Sequence, residues 1–405
     1  NLKEINSYNY IYISHIHPDH CSNSTLKLID KNIPILIGKY NEKFLKIKLE
    51  RMGFSVIELE HGKRKKINDN FYINIFSADN CDPKLCYKFS GCANLVSPNG
   101  SQNIDTLCVF DDGKRNILNL NDCPFDLAKS TFKKILKEYG KIDTILTGYS
   151  GAGPFPQCID NYDFKQKLIQ AEIKKNNFIK QAYKYISAFN PKYYLPFAGT
   201  YTLSGKLSYL NPYRGIPSID YTYDKLNDLI KTNKKLNTKA IKINPGSEFD
   251  ISLETSDKIY KPIDQKKYQN YINDYLSKKE FDYENAQECD FDEIYNLSTK
   301  AIEKYIEKKF IKNVMTKTNI IFNIGERLIK IDNEKNKIDT ILFDQIKNEK
   351  DFVKFTLDIN LFKNILKGPK YAHWNNAEIG SHIRYFRKPN LYERELYDSI
   401  CYFHT

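Results

Sequence analysis

Length, composition and charge define the broad class of this chain. It has 405 residues, of which 41% are hydrophobic, 14% aromatic and 28% charged. A chain of this length exceeds a single small module, and its apolar and aromatic content excludes disorder over most of its length. The net charge is +12, but basic and acidic residues are interleaved, so the charge does not favour a nucleic-acid partner.

The sequence shows neither a membrane-spanning segment nor a secretion signal. No stretch approaches about 18 consecutive apolar residues, and the first residues carry neither a basic region nor an apolar run. The nine cysteines are odd in number and scattered, which indicates reduced thiols rather than a disulfide framework. We therefore expect a cytoplasmic protein without a membrane partner.

The predicted elements of residues 1–250 alternate between strand and helix. Residues 8–14 are β-branched and aromatic and predict a buried strand, which leads through a polar loop to a helix over 26–30 capped by residues 23–25. Further strands are predicted at 34–37, 55–59, 71–76, 106–110, 116–120 and 144–146, and further helices at 41–52, 126–139 and 162–189. An apolar stretch follows at 193–198. This alternation predicts one α/β layered domain.

Residues 251–405 predict a second region of α+β character. The chain is charged, tyrosine-rich and helix-like to about residue 312, and strands are predicted at 319–324, 328–332, 340–343 and 351–358. The change in pattern predicts a domain boundary after residue 250.

The strongest chemical signal is the run His15-Ile16-His17-Pro18-Asp19-His20, which holds three of the seven histidines. On an extended segment residues i and i+2 face the same side, so His15 and His17 can bind one metal ion. A turn after Pro18 would bring Asp19 and His20 towards a second ion. The alternative is a solvated loop without a metal. The motif favours a site for one or two divalent ions.

At this motif the chain resembles the metallo-β-lactamase fold superfamily, whose signature is H-x-H-x-D-H after a core strand. The resemblance implies an αββα sandwich and hydrolytic chemistry, in which bound metal lowers the pKa of water to about 7. It implies that Asp122, after the strand at 116–120, bridges two metal positions, and that Asp19 and Asp122 are the catalytic carboxylates. The alternative for Asp122 is the N-cap of a helix that begins at Pro124.

Further segments resemble the CMP-N-acetylneuraminate hydroxylase family, in its metal-binding region outside the Rieske domain. These segments are 10–20, 24–27, 33–38, 104–106, 117–123, 150–156 and 196–199. The resemblance implies a hydroxylase that acts on a nucleotide-activated amino sugar or a related anionic glycan precursor, with zinc or iron and a separate or upstream Rieske-type electron donor. Two alternatives stay open: a hydrolase of a phosphodiester, lactone or amide, and a non-catalytic binding protein.

The remaining ligand positions depart from the superfamily. No histidine follows the strand at 71–76, where Asp79, Cys81 or Asp82 is the candidate ligand. Mixed histidine and carboxylate ligation suits iron as well as zinc. Only fourteen residues precede His15, so either the first strands of the fold are missing or its first sheet is a reduced version.

Two segments are candidates for substrate binding. Gly151 and Gly153 lie in a glycine-rich turn whose backbone N–H groups could approach an anion, with a tight structural connection as the alternative. Near the other end of the chain, Trp374 and Arg384 suit sugar stacking and phosphate pairing, with an ordinary helix and a core tryptophan as the alternative. Three further residues, Tyr201, Tyr209 and Arg214, are additional candidates for lining the substrate-binding cleft.

Overall fold

The structure is a computed structural model that describes residues 2–40, 43–77, 106–286 and 289–405. The chain groups into two compact units. Unit 1 comprises residues 1–151, 177–200 and 217–262, and unit 2 comprises residues 152–176, 201–216 and 263–405. The domain boundary after residue 250 stays a prediction. Within the described ranges no helix is both long and apolar enough to cross a bilayer.

Unit 1 contains a parallel three-stranded sheet, which we call the first sheet, with the order β1-β2-β3. Its strands are β1 Ile11–Tyr12, β2 Ile35–Gly38 and β3 Val56–Leu59. The helices in this part of the chain are α1 Leu2–Ile5, α2 Asn23–Leu28 and α3 Phe44–Arg51.

The second sheet of unit 1 has seven strands in the order β10-β9-β8-β7-β6-β5-β4. Pairing is antiparallel from β4 to β7 and parallel from β7 to β10. The strands are β4 Lys65–Asn68, β5 Phe71–Ser77, β6 Thr106–Asp111, β7 Asn116–Asn119, β8 Thr144–Thr147, β9 Tyr193–Pro196 and β10 Lys239–Ala240. The associated helices are α4 Lys129–Tyr139, α5 Phe164–Phe189, of which residues 177–189 belong to unit 1, and α6 Ile219–Thr232. Strands β11 Phe249–Asp250 and β12 Thr255–Ser256 form a separate hairpin.

Side chains of the first sheet alternate between two cores, as the period of a strand requires. Ile35 of β2 lies in an apolar cluster with Leu26 of α2 and Leu49 of α3. Its neighbour Leu36 lies in a different cluster with Ile75 of the second sheet. The first sheet therefore has helices on one face and the second sheet on the other.

The opposite face of the second sheet packs against helices. Ile145 of β8 shares a core with Phe132 of α4, Ile186 of α5 and Leu226 of α6. The order of layers in unit 1 is therefore helix, sheet, sheet, helix, and the predicted αββα architecture within a mixed α/β chain is confirmed. That strands are missing ahead of His15 stays a prediction.

Unit 2 contains a five-stranded sheet with the order β15-β14-β13-β16-β17. All pairs are antiparallel except β13 and β16. Its strands are β13 Asn319–Asn323, β14 Arg327–Asp332, β15 Lys337–Leu342, β16 Phe352–Thr356 and β17 Arg384–Lys388. Its further helices are α7 Gln265–Asp274, α8 Phe291–Ile311, α9 Ile359–Leu366, α10 Trp374–Ile379 and α11 Arg394–Ile400, with 3₁₀ helices at Gly205–Tyr213, Leu276–Lys278 and Phe343–Asn348.

Helix and strand boundaries differ from the predicted ones where a helix cap or the edge of a sheet determines them. Helix α2 begins earlier than predicted because the Ser22 side chain, not residues 23–25, accepts a hydrogen bond from the backbone of Thr25. Strand β4, Lys65–Asn68, is not among the predicted strands. This strand lies at the edge of its sheet, where exposed lysines are common because they discourage further strand pairing.

Candidate metal centre

The histidine loop leaves the first sheet directly after β1. The backbone N–H of Ile13 still donates to the Leu36 carbonyl at 3.0 Å, so the chain is fixed two residues before His15. The carbonyl of His17 then accepts the N–H groups of His20 (3.0 Å) and Cys21 (2.8 Å), which makes a tight turn. This turn returns the chain, so that the rings of His15 and His20 lie 4.2 Å apart between centroids.

Asp122 reaches the same place from the second sheet, just after β7. Its neighbour Asn121 has a left-handed backbone (φ 47°), which asparagine tolerates better than most residues, and its side-chain amide donates to the Thr106 carbonyl at 2.8 Å. Helix α4 begins later, at Lys129, with Ala128 at its N-cap. The structure thus gives the N-cap of this helix to Ala128 and not to Asp122.

The five motif residues form two groups of potential ligands that share Asp122. One group is His15, His17 and Asp122, and the other is Asp19, His20 and Asp122; within each group one donor atom per residue lies within 4.8 Å of the others. The Asp122 Oδ2 atom is 3.0 Å from Nε2 of His20 and 3.7 Å from Nε2 of His15. The Asp19 Oδ2 atom is 3.6 Å from Nε2 of His20.

Burial controls the charge of this cluster. His15 is 0% exposed, and its burial, together with the neighbouring His20 and His17, lowers its pKa to about 3. Burial also lowers the pKa of His17. Burial acts to raise the pKa of Asp122, but the hydrogen bond from His20 and the charges of the imidazoles hold it below its ordinary value. Neutral imidazoles and an ionised carboxylate are the forms that bind metal ions.

Ser14 links two of the imidazoles from behind. Its Oγ atom is 3.0 Å from Nδ1 of His15 and 3.2 Å from Nδ1 of His20, and Nδ1 of His17 is 2.9 Å from Nε2 of His15. One assignment of protons fits these contacts, and the one between His20 and Asp122, with three neutral rings: His17 donates to His15, His15 to Ser14, Ser14 to His20, and His20 to Asp122. The hydroxyl can also accept from both Nδ1 atoms, and the Nε2 atoms of the two rings are then unprotonated, which is the form that binds a metal.

The backbone of Ser14 is itself held in place. Its carbonyl accepts hydrogen bonds from the hydroxyl of Tyr40 (2.5 Å) and from that of Thr106 (3.3 Å). No pattern in the sequence assigns a role to Ser14 or Tyr40. The only signal in the sequence was the position of Ser14 directly before the first histidine, whereas Tyr40 is brought in by the first sheet.

This donor set fits a divalent metal ion. Imidazole nitrogens with carboxylate oxygens suit zinc and also non-haem iron, so the predicted cofactor class agrees with the cluster. That each of the five residues is a ligand stays a prediction. The further candidates Asp79, Cys81 and Asp82 lie outside the described residues.

The structure corrects the predicted substrate contact of Trp374. Its side chain is 1% exposed, at the start of α10, and lies in the main core of unit 2. Its ring packs edge-on to Phe355 at 5.1 Å and to Phe322 at 6.2 Å. An indole enclosed in this way cannot stack on a sugar, and the alternative of an ordinary helix with a core tryptophan is the one observed.

The other substrate candidates are placed as follows. Arg384 forms a two-point ion pair with Asp160, with N–O distances of 3.1 and 3.0 Å, so its charge is already matched within unit 2. Gly151 lies against the ring of Phe178, which a Cβ atom would approach to 3.2 Å, and this close packing agrees with a structural role. Gly153, in unit 2, has an open surrounding. Substrate binding by these three residues stays a prediction.

Comparisons with known proteins return structural likenesses only. No protein-family model and no curated protein matches the chain. Among solved structures, the chain is similar to CmlA, a diiron beta-hydroxylase from Streptomyces venezuelae, with 14% identity and a TM-score of 0.37 over 57% of this chain and 42% of that chain. The isothiocyanate hydrolase from Delia radicum gut bacteria gives 10% identity and a TM-score of 0.38 over 60% of this chain and 76% of that one.

A further likeness is to YhfI of Bacillus subtilis, described as a metallo-beta-lactamase fold protein, with 11% identity and a TM-score of 0.30 over 57% of this chain and 75% of that chain. The chain thus spans less than half the length of the CmlA hydroxylase. At these scores the likenesses do not assign an activity, which has to be argued from the cluster itself.

Proposed function

We propose that the chain is a metal-dependent enzyme of the metallo-β-lactamase type. The observation that carries this proposal is the pair of ligand groups, His15 with His17 and Asp19 with His20, that share the carboxylate of Asp122. A shared carboxylate between two sets of ligands is the arrangement expected of a centre for two ions. His15 is completely buried, whereas a solvated surface loop would leave its side chain in contact with water.

Some residues of the cluster would bind the metal, and one would accept a proton during the reaction. A bound zinc or iron ion supplies Lewis acidity and lowers the pKa of a coordinated water. His15, His17 and His20 would hold the ions as neutral donors, and Asp122, which belongs to both ligand groups, would offset their charge. Asp19, whose side chain is 63% exposed beside His20, is the carboxylate best placed to accept a proton from water or substrate.

For the reaction we propose hydroxylation of a nucleotide-activated amino sugar or a related anionic glycan precursor. The support is the resemblance of segments along the chain to the CMP-N-acetylneuraminate hydroxylase family, together with a donor set that suits iron. Such a hydroxylation consumes dioxygen, two electrons and two protons, places one oxygen atom in the substrate and releases the other as water. The electrons would come from a separate Rieske-type protein.

A second candidate function is hydrolysis of a phosphodiester, lactone or amide. The exposed carboxylate of Asp19 favours it, because a base open to solvent beside the metal ligands can take the proton of an attacking water. This reaction needs no electron donor.

Metal analysis combined with two assays tests the proposal. The purified full chain is analysed for metal content and then assayed with a nucleotide sugar, dioxygen and a chemical reductant, and separately with a model phosphodiester. His17→Ala should lose metal and both activities, whereas His61→Gln, at a histidine whose Nε2 contacts the Lys39 carbonyl, should keep them. Oxygen-dependent turnover would support the hydroxylase, and turnover without oxygen the hydrolase. Equal metal content in wild type and His17→Ala would refute the metal centre.

A further inference from the structure

A second site of chemical interest lies in unit 2, in a cleft between the 3₁₀ helix Gly205–Tyr213 and α7. The cleft has a cavity volume of about 510 Å³, within the roughly 300–1,000 Å³ typical of small-molecule sites. Much of its lining is polar, and none of the described residues that line it is acidic. The polar lining includes Ser208, Asn211, Arg214, Tyr268, Gln269 and Asn273.

Arg214 is the unusual member of this lining. It is 8% exposed, yet among the described residues no carboxylate forms an ion pair with it, and its Nη1 atom has no hydrogen-bond partner. Its Nε donates to the Asn211 carbonyl at 3.0 Å, and its guanidinium carbon lies 5.2 Å from the centre of the Tyr201 ring. A guanidinium stays charged at any physiological pH, and a buried charge without a counter-ion is costly.

A second cation, from helix α5, lies against the backbone of Arg214. The Nζ atom of Lys174 donates to the carbonyl of Arg214 at 3.0 Å and to that of Phe155 at 2.7 Å, so it fixes the backbone that carries the arginine. Burial, and then the charge of Arg214, lower the pKa of Lys174 to about 8. The region therefore concentrates positive charge in a partly enclosed place.

We propose that Arg214 anchors an oxyanion-binding site in this cleft, which takes a phosphate or carboxylate group of a small molecule. The forked guanidinium matches the geometry of the oxygens of either group, and the anion would supply the missing opposite charge. The hydroxyl and amide groups of Ser208, Tyr268 and Gln269 line the same space and can contact the rest of the ligand. This site is independent of the metal cluster and does not rest on the proposed function.

Titration of the full chain with inorganic phosphate, and separately with acetate, tests the site by calorimetry. Chloride at matched ionic strength is the control for general salt effects. Arg214→Gln should weaken binding roughly tenfold or more, as expected for loss of a charge-assisted contact. Arg327→Gln, at an exposed arginine of unit 2 that lies 3.6 Å from Asp292, should bind like wild type.

Two further variants keep the test decisive if Arg214→Gln does not fold. Gln269→Glu changes an exposed lining residue and adds a negative charge to the cleft, so it should weaken phosphate binding roughly three- to tenfold. His17→Ala should leave phosphate binding intact, because the site does not use the metal cluster. Binding of phosphate alone, or of acetate alone, would identify the group that is recognised. The proposal is overturned if chloride has the same effect, if Gln269→Glu binds like wild type, or if binding is lost in His17→Ala.

Discussion

Replacing Ser14 by alanine tests the network behind the metal cluster. The change removes the hydroxyl that lies 3.0 Å from Nδ1 of His15 and 3.2 Å from Nδ1 of His20. Groups that orient metal-binding histidines in this way contribute roughly 10- to 100-fold to metal affinity. Because a tenfold change corresponds to about 1.4 kcal/mol, the expected loss of binding free energy is about 1.4–2.7 kcal/mol.

The assay is a titration of Zn²⁺ or Fe²⁺ into the metal-free chain in competition with a chelator of known affinity. Ser24→Ala is the matched control, because the Ser24 hydroxyl contacts Ser22 and no histidine. Thermal unfolding of the metal-free variants checks that any loss of affinity is not a loss of fold. If folded Ser14→Ala binds metal as tightly as wild type, the backbone rather than the hydroxyl positions the two rings, and the reasoning is wrong.

Three further predictions concern individual side chains. Asp122→Asn should lower the metal content at both positions, since the carboxylate belongs to both ligand groups; elemental analysis that finds both ions retained would remove Asp122 from the centre. Burial raises the pKa of Glu378 from 4.5 to about 7. The folded chain therefore holds this proton more tightly than the unfolded chain, so the free energy of unfolding should fall as the pH rises from about 4.5 to about 7. In urea unfolding at pH 8, the free energy of unfolding of Glu378→Gln should exceed that of wild type by up to about 3 kcal/mol. If the stability of both proteins depended equally on pH, this prediction would be wrong. Trp374→Ala should lose about 3–5 kcal/mol of unfolding free energy, as expected for a large core side chain, and a loss below about 1 kcal/mol would argue against its core position.

Local patterns in the sequence predict many elements of unit 1 because those elements are amphipathic or apolar. The strands at 35–38 and 144–147 are short, β-branched and buried, and the structure places them within a residue of their predicted bounds. The strand predicted at 8–14 shrinks to Ile11–Tyr12, which are paired in register with β2, while Ile13 adds a single hydrogen bond to that strand. Pairing partners come from distant parts of the chain, so the extent of a strand cannot be read from its own residues.

The candidate metal centre was predictable for a similar reason. Four of its five residues lie within one short loop, and a two-residue spacing already places His15 and His17 together. The fifth, Asp122, was identified from its place after a strand and from the resemblance. Ser14 and Tyr40 carry no such pattern, because a serine or a tyrosine is common at any position. Only the packing of the sheets shows that both contact the histidine loop.

The two arginines considered for substrate binding show why charge cannot be assigned to function from sequence. Arg384 stands in a segment rich in amides and aromatics and suggested a phosphate contact, but Asp160, 224 residues away, pairs with its guanidinium. Arg214 has less distinctive neighbours, yet among the described residues it has no acidic partner and is almost fully buried. An arginine already paired gains little from an anion, because a new partner must replace an existing one. A buried and unpaired arginine gains the full contact, so anion binding should follow Arg214 even though the sequence pattern favoured Arg384.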